Sequence, residues 1–594
     1  MIRVNERPAT FFLRALPVPS PVIYQMTPRT FDLLLIAASV FTADSLTSRG
    51  GTGRSDAGAD WYRDLRFVIP VADPEFWRAE HDRLVAVLEF LTGDRFSFAF
   101  DRRARREPAQ RHLLQDHPPA EAEQVVLFSG GLDSLTGALE SLAGEGPRPL
   151  LVSHCSATKT IAVQKALYRK LKCRFPGKIL WVPADGTLKR VDAKERTQRS
   201  RSFLYGALGY AAASLVGANR VSFYENGVVS VNLPFSGQVI GTMATRTTHP
   251  LFLSRLGALF SRMAERPITV DNPYAAMTKT EVVTRLRNLD GADLIGKTTS
   301  CSSVWTRTRK YPLCGCCSQC LDRRFAILAA GLEAHDPADR YEVDLFLGQR
   351  KRELDRTMAN DWTRHAGRRL ARMSLHQFGT EFAAEIADVV AGYPESQIAH
   401  VISEIFEMHR RHGEAVARVV KQTIADEAPR IADGAVPPDT LLAATVTSGV
   451  QTAAAQDKSA DPDDVPADDH FEGPVFPLRL VYDPDSGPSL RVRGLGEFSG
   501  THYGVVGTLA PYHQQDLQDG RTADEHTCVP AGLLGTSKQA GRLRVKRCRD
   551  ELAEIYTAVE GTPPESPLLI HTKTSRGYRL DPEARFVGQG PRSG

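Results

Sequence analysis

The chain has 594 residues, of which 42% are hydrophobic and 24% are charged, and this composition excludes a wholly disordered chain, a collagen-like chain and a coiled-coil rod. Its formal charge of +4 is small for this length, so any nucleic-acid surface must be local. A chain of this size exceeds what one hydrophobic core usually serves, and we expect several domains.

Residues 1–120 predict an accessory α+β domain. The apolar patterns at 66–70 and 95–100 indicate strands. Asp73 followed by Pro74 is typical of a helix N-cap and first helical residue. No chemistry is evident in this part of the chain, which suits a segment that serves a partner.

The N-terminal region has no membrane signal in its sequence. The apolar stretch 31–38 is interrupted and too short to span a bilayer. No apolar run ends at a small-residue cleavage site, so no signal peptide is indicated. We therefore expect a cytoplasmic protein with no membrane partner.

Residues 121–345 predict an α/β domain with a doubly wound parallel sheet. Short apolar runs alternate with segments of helical period, as they do when each helix connects two parallel strands. The predicted strands are 125–128, 150–153, 178–182 and 220–224, and the predicted helices are 134–143, 162–171 and 200–216.

A glycine-rich turn follows the first of these strands. It consists of Ser129, Gly130, Gly131, Leu132, Asp133 and Ser134. Two glycines allow a sharp turn with exposed N–H groups, and the following helix adds its positive N-terminal end, so the turn suits a pyrophosphate. Asp133 can hold a metal ion or brace the turn. The alternative is an ordinary Gly-Gly turn between a strand and a helix, with no ligand.

This hexapeptide resembles the PP-loop of ATP pyrophosphatases. The resemblance implies cleavage of ATP between its α and β phosphates, with Mg²⁺, to give AMP and pyrophosphate. It implies catalytic roles for Ser129, Asp133 and Ser134, and it implies that the whole loop binds the nucleotide.

Five cysteines lie within twenty residues, which indicates a metal site rather than a disulfide framework in a large cytosolic chain. Cys314, Cys317 and Cys320 are spaced by two residues each, and Cys301 precedes them. Four thiolates make a closed, structural zinc site, and Cys316 falls between ligands. An iron–sulfur cluster accepts the same four ligands, and fortuitous clustering of free thiols is a further alternative.

Together, the loop and the cysteines resemble the QueC family of 7-cyano-7-deazaguanine synthases over residues 123–335. Arg199 fits an Arg-Asn-x-x-Phe-Leu motif of that family, with serine in place of asparagine. Asn226 follows the fourth strand, and Lys279 lies in a Thr-Lys-x-Glu segment. The resemblance implies that Arg199 and Asn226 bind ligand and that Lys279 is catalytic. The alternatives are that Asn226 is an ordinary turn residue and that Lys279 is a solvated lysine.

One stretch departs from the family pattern. Residues 245–252 keep a proline and a phenylalanine of the QueC segment, but its aspartate and arginine are replaced. Arg246 and His249 remain candidates for contact with a carboxylate or a purine edge.

The resemblance implies adenylation of 7-carboxy-7-deazaguanine and attack by an amine. Ammonia would give the nitrile product through the amide. Enlarged QueC-like proteins of bacterial antiphage defence, including the QatC-like type, also resemble this chain, and there the acyl group would pass to an amine of a partner protein. The additions on both sides of the QueC-like part favour the defence setting.

Three further segments complete the chain. Residues 346–430 have helical periodicity and predict a helical extension. Residues 431–475 are rich in Ala, Thr, Pro and Asp and predict a disordered acidic linker. Residues 476–594 predict a compact C-terminal domain.

The C-terminal domain resembles the winged helix of OmpR/PhoB-type regulators. A Leu-Arg-x-Lys helix at 543–546 fits the family, and the wing motif at 574–578 fits with two residues missing. The resemblance implies DNA contact by Arg542, Arg544, Lys546 and Arg576. A solvated basic face or a protein-docking surface is the alternative, and a DNA-binding regulator with an ATP-sensing loop is the alternative for the whole chain.

Overall fold

The computed structural model divides into two compact units, residues 1–458 and 459–594, and each is described by itself. The predicted segments 1–120, 121–345 and 346–430 all lie in the first unit. The described residues are 11–15, 26–49, 62–103, 122–144, 148–155, 158–188, 192–195, 199–234, 246–302, 307–447, 479–483, 489–492, 496–499, 504–519, 527–530, 533–534, 542, 544–553, 569–573, 577–580 and 585–586.

The centre of the first unit is a mixed sheet of six strands within the described residues, in the order β1-β6-β5-β4-β7-β8. Strands β4 to β8 run parallel, and β1 pairs antiparallel with β6 at the edge. The first-unit strands are β1 (Phe11–Ala15), β2 (Asp64–Val71), β3 (Arg95–Arg102), β4 (Gln124–Leu127), β5 (Pro149–Cys155), β6 (Leu180–Leu188), β7 (Arg220–Ser222) and β8 (Thr269–Asp271). The predicted α/β fold with a parallel sheet is confirmed.

Helices cover both faces of this sheet, because successive residues of β4 point to opposite sides. Val126 packs in one apolar cluster with α4, α5 and α9, whereas Val125 and Leu127 pack with α1, α6 and α8. The first-unit helices are α1 (Pro28–Leu46), α2 (Pro74–Ala79), α3 (His81–Thr92), α4 (Leu132–Ala143), α5 (Thr158–Arg174), α6 (Arg201–Val216), α7 (Gly227–Val231), α8 (Pro250–Ala264), α9 (Lys279–Asn288), α10 (Ser318–Ala329), α11 (Glu353–Arg364), α12 (Leu375–Glu381), α13 (Ala383–Val390), α14 (Ile398–Asp426) and α15 (Ala428–Ala432).

The strand order creates a switch point beside β4. From β4 the chain adds β5 and β6 on one side and then β7 and β8 on the other. Ligands of open parallel sheets bind in the crevice at such a point, outside the carboxyl ends of the strands. The residues that follow β4 and β7 therefore meet at the position where a ligand is expected.

The N-terminal segment follows the predicted pattern in part. β2 and β3 form a parallel pair, and Asp73 caps α2 by accepting a hydrogen bond from the Phe76 N–H at 3.2 Å. The helix that begins after Asp73 ends at Glu80, which precedes α3. The apolar stretch 31–38 lies within α1.

The predicted disordered linker begins too early. Residues 441–447 are helical, and Leu441 and Leu442 are buried in an apolar cluster with Phe346 and Trp362. The two leucines supply the apolar surface that the surrounding Ala, Thr and Pro residues lack. The acidic part of the predicted linker, 448–475, lies outside the described residues.

The second unit has its own small core. Its described elements are β9 (Arg479–Asp483), β10 (Ser489–Val492), β11 (Gly496–Ser499), α16 (Gly504–Gln518), a helical segment at 544–553, β12 (Ile570–Lys573), β13 (Gly577–Leu580) and β14 (Arg585–Phe586). β12 and β13 form an antiparallel hairpin, and Val529 pairs with Tyr578 of that hairpin. Among the described helices of the chain, none combines the length and apolarity needed to cross a membrane.

Candidate functional site

The glycine-rich turn lies at the carboxyl end of β4 and begins α4. Gly130 has φ +92°, and a Cβ atom there would lie 3.2 Å from Val163 Cγ1 and 3.3 Å from Gln164 Cγ. The backbone conformation therefore favours glycine, and a Cβ atom would in addition have to displace these two side chains slightly. The Gln164 side-chain amide donates to the Ser129 carbonyl at 3.0 Å and fixes the turn against α5.

The two serines of the turn close it with their hydroxyl groups. Ser129 Oγ and Ser134 Oγ lie 3.0 Å apart, and the Gly130 N–H donates to Ser134 Oγ at 3.2 Å. The Gly131 N–H donates weakly to Ser129 Oγ at 3.4 Å. The hydroxyls thus occupy the amides that an anion would otherwise take, and rotation of two short side chains would free them.

Asp133, in the first turn of α4, anchors a buried polar cluster. Its Oδ2 accepts from Lys279 Nζ at 2.8 Å, from the Asn226 N–H at 3.1 Å and from Asn226 Nδ2 at 3.2 Å. Asp322 Oδ2 lies 3.9 Å from Lys279 Nζ and 3.5 Å from Asn226 Nδ2. The structure therefore brings Asp133, Asn226 and Lys279 together, although the sequence separates them by up to 146 positions.

Charge is unbalanced in this cluster. Burial lowers the pKa of Lys279, but the charges of Asp133 and Asp322 outweigh it and the net pKa is raised, so the ammonium stays protonated. Burial raises the pKa of Asp322 to about 6. Burial also raises the pKa of Glu225, whose Oε2 accepts from the hydroxyls of Thr247 at 2.9 Å and Thr248 at 2.6 Å.

Local signals position these side chains. Asn226 caps α7 by accepting from the Val229 N–H at 3.2 Å. Lys279 is the first residue of α9, and Thr278 and Glu281 form a capping box that fixes this helix start. A capping box at the end of a loop therefore delivers the lysine to the carboxyl edge of the sheet.

Three other predicted residues make different contacts. Arg199 Nη1 donates to the Thr92 carbonyl at 3.4 Å, and burial lowers its pKa to about 9. Arg246 donates to the Phe90 carbonyl at 3.0 Å, with its guanidinium 4.4 Å from the centre of the Phe90 ring. His249 caps α8 through Nδ1, and burial lowers its pKa to about 3. The two arginine contacts join the α/β part of the unit to the N-terminal segment, whereas His249 fixes the start of α8.

The sequence interpretation missed Glu225 and Asp322. Glu225 directly precedes Asn226, and its position after a sheet strand was a usable signal. Asp322 follows Cys320 by two residues on α10, and nothing in its local pattern distinguishes it from a solvated carboxylate.

The predicted cysteines form a compact group. The sulfur atoms of Cys301, Cys314, Cys317 and Cys320 all lie within 4.8 Å of one another, and Cys314 and Cys320 are 3.7 Å apart. Zn–S bonds of about 2.3 Å would set neighbouring sulfurs of a tetrahedral site about 3.8 Å apart. The four cysteines can therefore hold a metal ion such as zinc, and Cys316 lies outside the group.

The backbone of the cysteine turn favours thiolate ligands. The N–H groups of Cys316 and Cys317 donate to Cys314 Sγ at 3.3 and 3.2 Å. Gly315 has φ +77°, and a Cβ atom there would lie 1.8 Å from the Val343 carbonyl oxygen, so only glycine allows this turn. Hydrogen bonds from Cys301 and Cys314 hold the pKa of Cys317 well below its usual value.

The predicted DNA-contacting residues lie in the second unit. Arg542 and Lys546 are exposed and Arg544 is half-buried, whereas Arg576 lies outside the described residues. Arg549 of the same helical segment instead donates to the Ile570 carbonyl at 2.6 Å and so fixes this segment to the hairpin.

The fold and the site define an α/β protein in which a glycine-rich turn lies beside a buried Asp–Lys pair and a four-cysteine cluster. No protein-family model matches the chain, and no curated protein matches it. The functional inference therefore depends on the residues themselves.

Proposed function

We propose that this protein is an ATP-dependent carbon–nitrogen ligase of the QueC-like type. It activates 7-carboxy-7-deazaguanine or a related carboxylate as its adenylate, releases pyrophosphate, and transfers the acyl group to an amine. The observation that carries this proposal is the glycine-rich turn at the switch point of the sheet, with the buried Asp133–Lys279 pair, 2.8 Å apart, directly behind it.

The chain's own groups fit the demands of this reaction. A leaving pyrophosphate needs preorganised positive charge and N–H donors. The turn offers two glycine amides and the N-terminus of α4, and Lys279 offers an ammonium held in its charged form. Asp133 orients that ammonium and Asn226 together.

The side chains also fit a magnesium ion. Asp133 Oδ1 is buried and has no hydrogen-bond partner among the described residues, and carboxylate oxygen is a preferred Mg²⁺ ligand. Mg²⁺ bound there would neutralise charge on the ATP phosphates. The four-cysteine cluster, proposed to hold Zn²⁺, has no ligand position left for a substrate, so its role is structural.

The amine acceptor is ammonia or an amine of a partner protein. We place the reaction in bacterial antiphage defence, where a partner-protein amine would give a deazaguanylated protein, because the helical extension and the N-terminal segment enlarge the QueC-like part. A partner-protein substrate would need such additional surface.

Product analysis tests the proposal. The protein is incubated with ATP, Mg²⁺, 7-carboxy-7-deazaguanine and ammonium, and the products are separated by anion exchange and identified by mass spectrometry. We expect AMP and pyrophosphate in equal amounts, strongly reduced by Ser134→Ala. Ser141→Ala, on the same helix but bonded to the Gly137 carbonyl, is the matched control. ADP as product, or no turnover with this carboxylate, contradicts the proposal.

The second unit supports a separate proposal, duplex DNA binding. The exposure of Arg542 and Lys546 on one helical segment favours it, because solvated cations on a helix can reach phosphate or base edges. A DNA-binding regulator with an ATP-sensing loop remains the alternative for the whole chain, and it predicts DNA binding without AMP formation.

A further inference from the structure

A cavity of about 80 Å³ lies beside the Asp133–Lys279 cluster, between α7, α10 and the helical extension. Its lining includes Asp322, Trp362, His409 and His412, together with apolar side chains such as Leu370. Asp322 connects the cavity to the Lys279 cluster, because it lines the cavity and its Oδ2 lies 3.9 Å from Lys279 Nζ. The cavity therefore reaches the region where the proposed acyl adenylate would form.

His409 leaves one hydrogen-bond acceptor in this cavity without a partner. Its Nδ1 lies 2.8 Å from the Ile405 carbonyl oxygen, which can only accept, so Nδ1 carries the proton. Burial lowers the pKa of His409 to about 4, and the ring is neutral at pH 7 with a lone pair on Nε2. Nε2 is buried and has no partner among the described residues, and the whole side chain is 1% exposed.

The lining selects a small hydrogen-bond donor. Among its residues, all in the described part of the chain, Asp322 is the one acidic side chain. An unmet acceptor, a carboxylate and the indole of Trp362 together suit a cation with N–H groups.

Size narrows the ligand further. A cavity of about 150 Å³ can hold benzene, and this one has about 80 Å³. Ammonium, methylammonium or the end of a lysine side chain fits within this volume, whereas a whole nucleobase would extend beyond it.

We infer that this cavity binds the primary amine or ammonium that attacks the acyl adenylate, with His409 Nε2 and Asp322 accepting its N–H groups. This inference rests on the proposed function, because the amine is the second substrate of that reaction. It assigns to the helical extension the recognition of the nucleophile.

The step balances as follows. The bound ammonium loses one proton to water, and the nitrogen lone pair attacks the carbonyl carbon of the acyl adenylate. The new C–N bond forms, the C–O bond to AMP breaks, and AMP leaves with that electron pair. The nitrogen loses a second proton to water, which leaves a neutral amide and AMP.

Two measurements separate the cavity from the proposed reaction. Carboxylate-dependent exchange of labelled pyrophosphate into ATP reports adenylation without any amine. Methylammonium titration without ATP, followed by Trp362 fluorescence, reports the cavity alone; Trp362→Phe identifies the signal. His409→Phe removes the acceptor and keeps an aromatic ring, and Leu370→Phe fills the space without adding a further tryptophan.

We expect saturable methylammonium binding in the wild-type protein and its loss in both variants. We also expect the amine KM to rise at least 10-fold in His409→Phe, with pyrophosphate exchange within twofold of wild type. Exchange without methylammonium binding in the wild-type protein, or an unchanged amine KM in His409→Phe, overturns the inference. Absence of exchange overturns the proposed function instead, and the titration then still decides whether the cavity binds an amine.

The source of the amine is decided by comparing ligands. Ammonium and methylammonium stand for free small amines, and a lysine blocked at both its α-amino and carboxyl groups stands for a protein side chain. Binding and turnover with the blocked lysine assign the cavity to a partner-protein amine, and binding of ammonium and methylammonium without binding of the blocked lysine assigns it to a free small amine.

Discussion

Asp322 and Arg323 are consecutive residues of α10, but they belong to two buried charged clusters of opposite character. Arg323 is fully satisfied: Nε and Nη2 donate to the Asp336 carboxylate at 2.9 and 3.0 Å, and Nη1 donates to Thr298 Oγ1 at 2.7 Å. Arg340 and the Tyr341 hydroxyl complete the Asp336 cluster. Every strong group there has a partner within the chain.

In the Lys279 cluster, to which Asp322 belongs, the charged groups are not all paired in this way. Asp133, Asp322 and Glu225 surround the single ammonium of Lys279, and Asp133 Oδ1 has no partner among the described residues. Buried polar groups are normally satisfied, and an unbalanced buried cluster is a candidate for ligand binding. The difference indicates that the Asp336 cluster stabilises the fold and that the Lys279 cluster is a candidate for ligand binding.

Loss of the cysteine site should have the largest effect, since α10 follows it directly and carries both clusters. We expect Cys317→Ser to abolish metal binding and to remove stabilisation on the order of 10 kcal/mol from this region. Elemental analysis and denaturation measure the two effects. Cys316→Ser, outside the cluster, should keep about one zinc per chain. Iron in place of zinc, or metal content unchanged in Cys317→Ser, would refute the zinc assignment.

We expect the Asp336 cluster to contribute to the stability of the first unit. Asp336→Asn leaves the buried Arg323 guanidinium without its counter-charge, and we expect a loss of about 3–5 kcal/mol in the free energy of unfolding. All five tryptophans lie in residues 1–458, so tryptophan fluorescence during denaturation reports this unit. Asp355→Asn, which removes the pair with exposed Arg352, should cost less than about 1 kcal/mol. Equal losses in the two variants would be inconsistent with a structural Asp336 cluster.

For the Lys279 cluster we expect the opposite result, a larger effect on activity than on stability. Asp133→Asn removes one carboxylate from a group that has a surplus, and we expect it to cost less stability than Asp336→Asn. Because it also releases Lys279, we expect AMP formation to fall by about 10²–10³-fold. Glu140→Gln, on the same helix but bonded to the Tyr274 hydroxyl, is the control and should retain activity. Full activity in Asp133→Asn would show that the cluster has no part in the reaction.

The parallel sheet, the glycine turn and the cysteine cluster could be predicted because their signals are local. Short apolar runs indicate buried strands, a positive φ at Gly130 needs glycine, and cysteine spacing reports ligand geometry. The lysine of α9 could be predicted for the same reason, since a capping box marks its helix start.

The remaining features depend on contacts between distant segments. Asp322 becomes a site residue only because α10 packs beside Lys279. Arg199 matches a nucleotide-binding motif, yet its guanidinium donates to the Thr92 carbonyl, in a segment that the resemblance over 123–335 does not cover. The burial of Leu441 and Leu442 could not be predicted from their Ala- and Thr-rich stretch, because composition averages over many residues whereas burial depends on single side chains.

DNA binding by the second unit should show the smallest effect per residue, because its charges are exposed rather than buried. Arg544→Ala combined with Lys546→Ala removes two cations from one helical segment, and each lost phosphate contact reduces the slope of log affinity against log salt by about 1. We therefore expect the slope to fall by about 1–2 in fluorescence-anisotropy titrations with duplex DNA at several salt concentrations. Arg66→Ala with Arg102→Ala changes the net charge equally at exposed positions of the first unit and should leave the slope unchanged. If both double variants bind like the wild type, this helical segment does not contact DNA, and its exposed cations belong to a solvated surface.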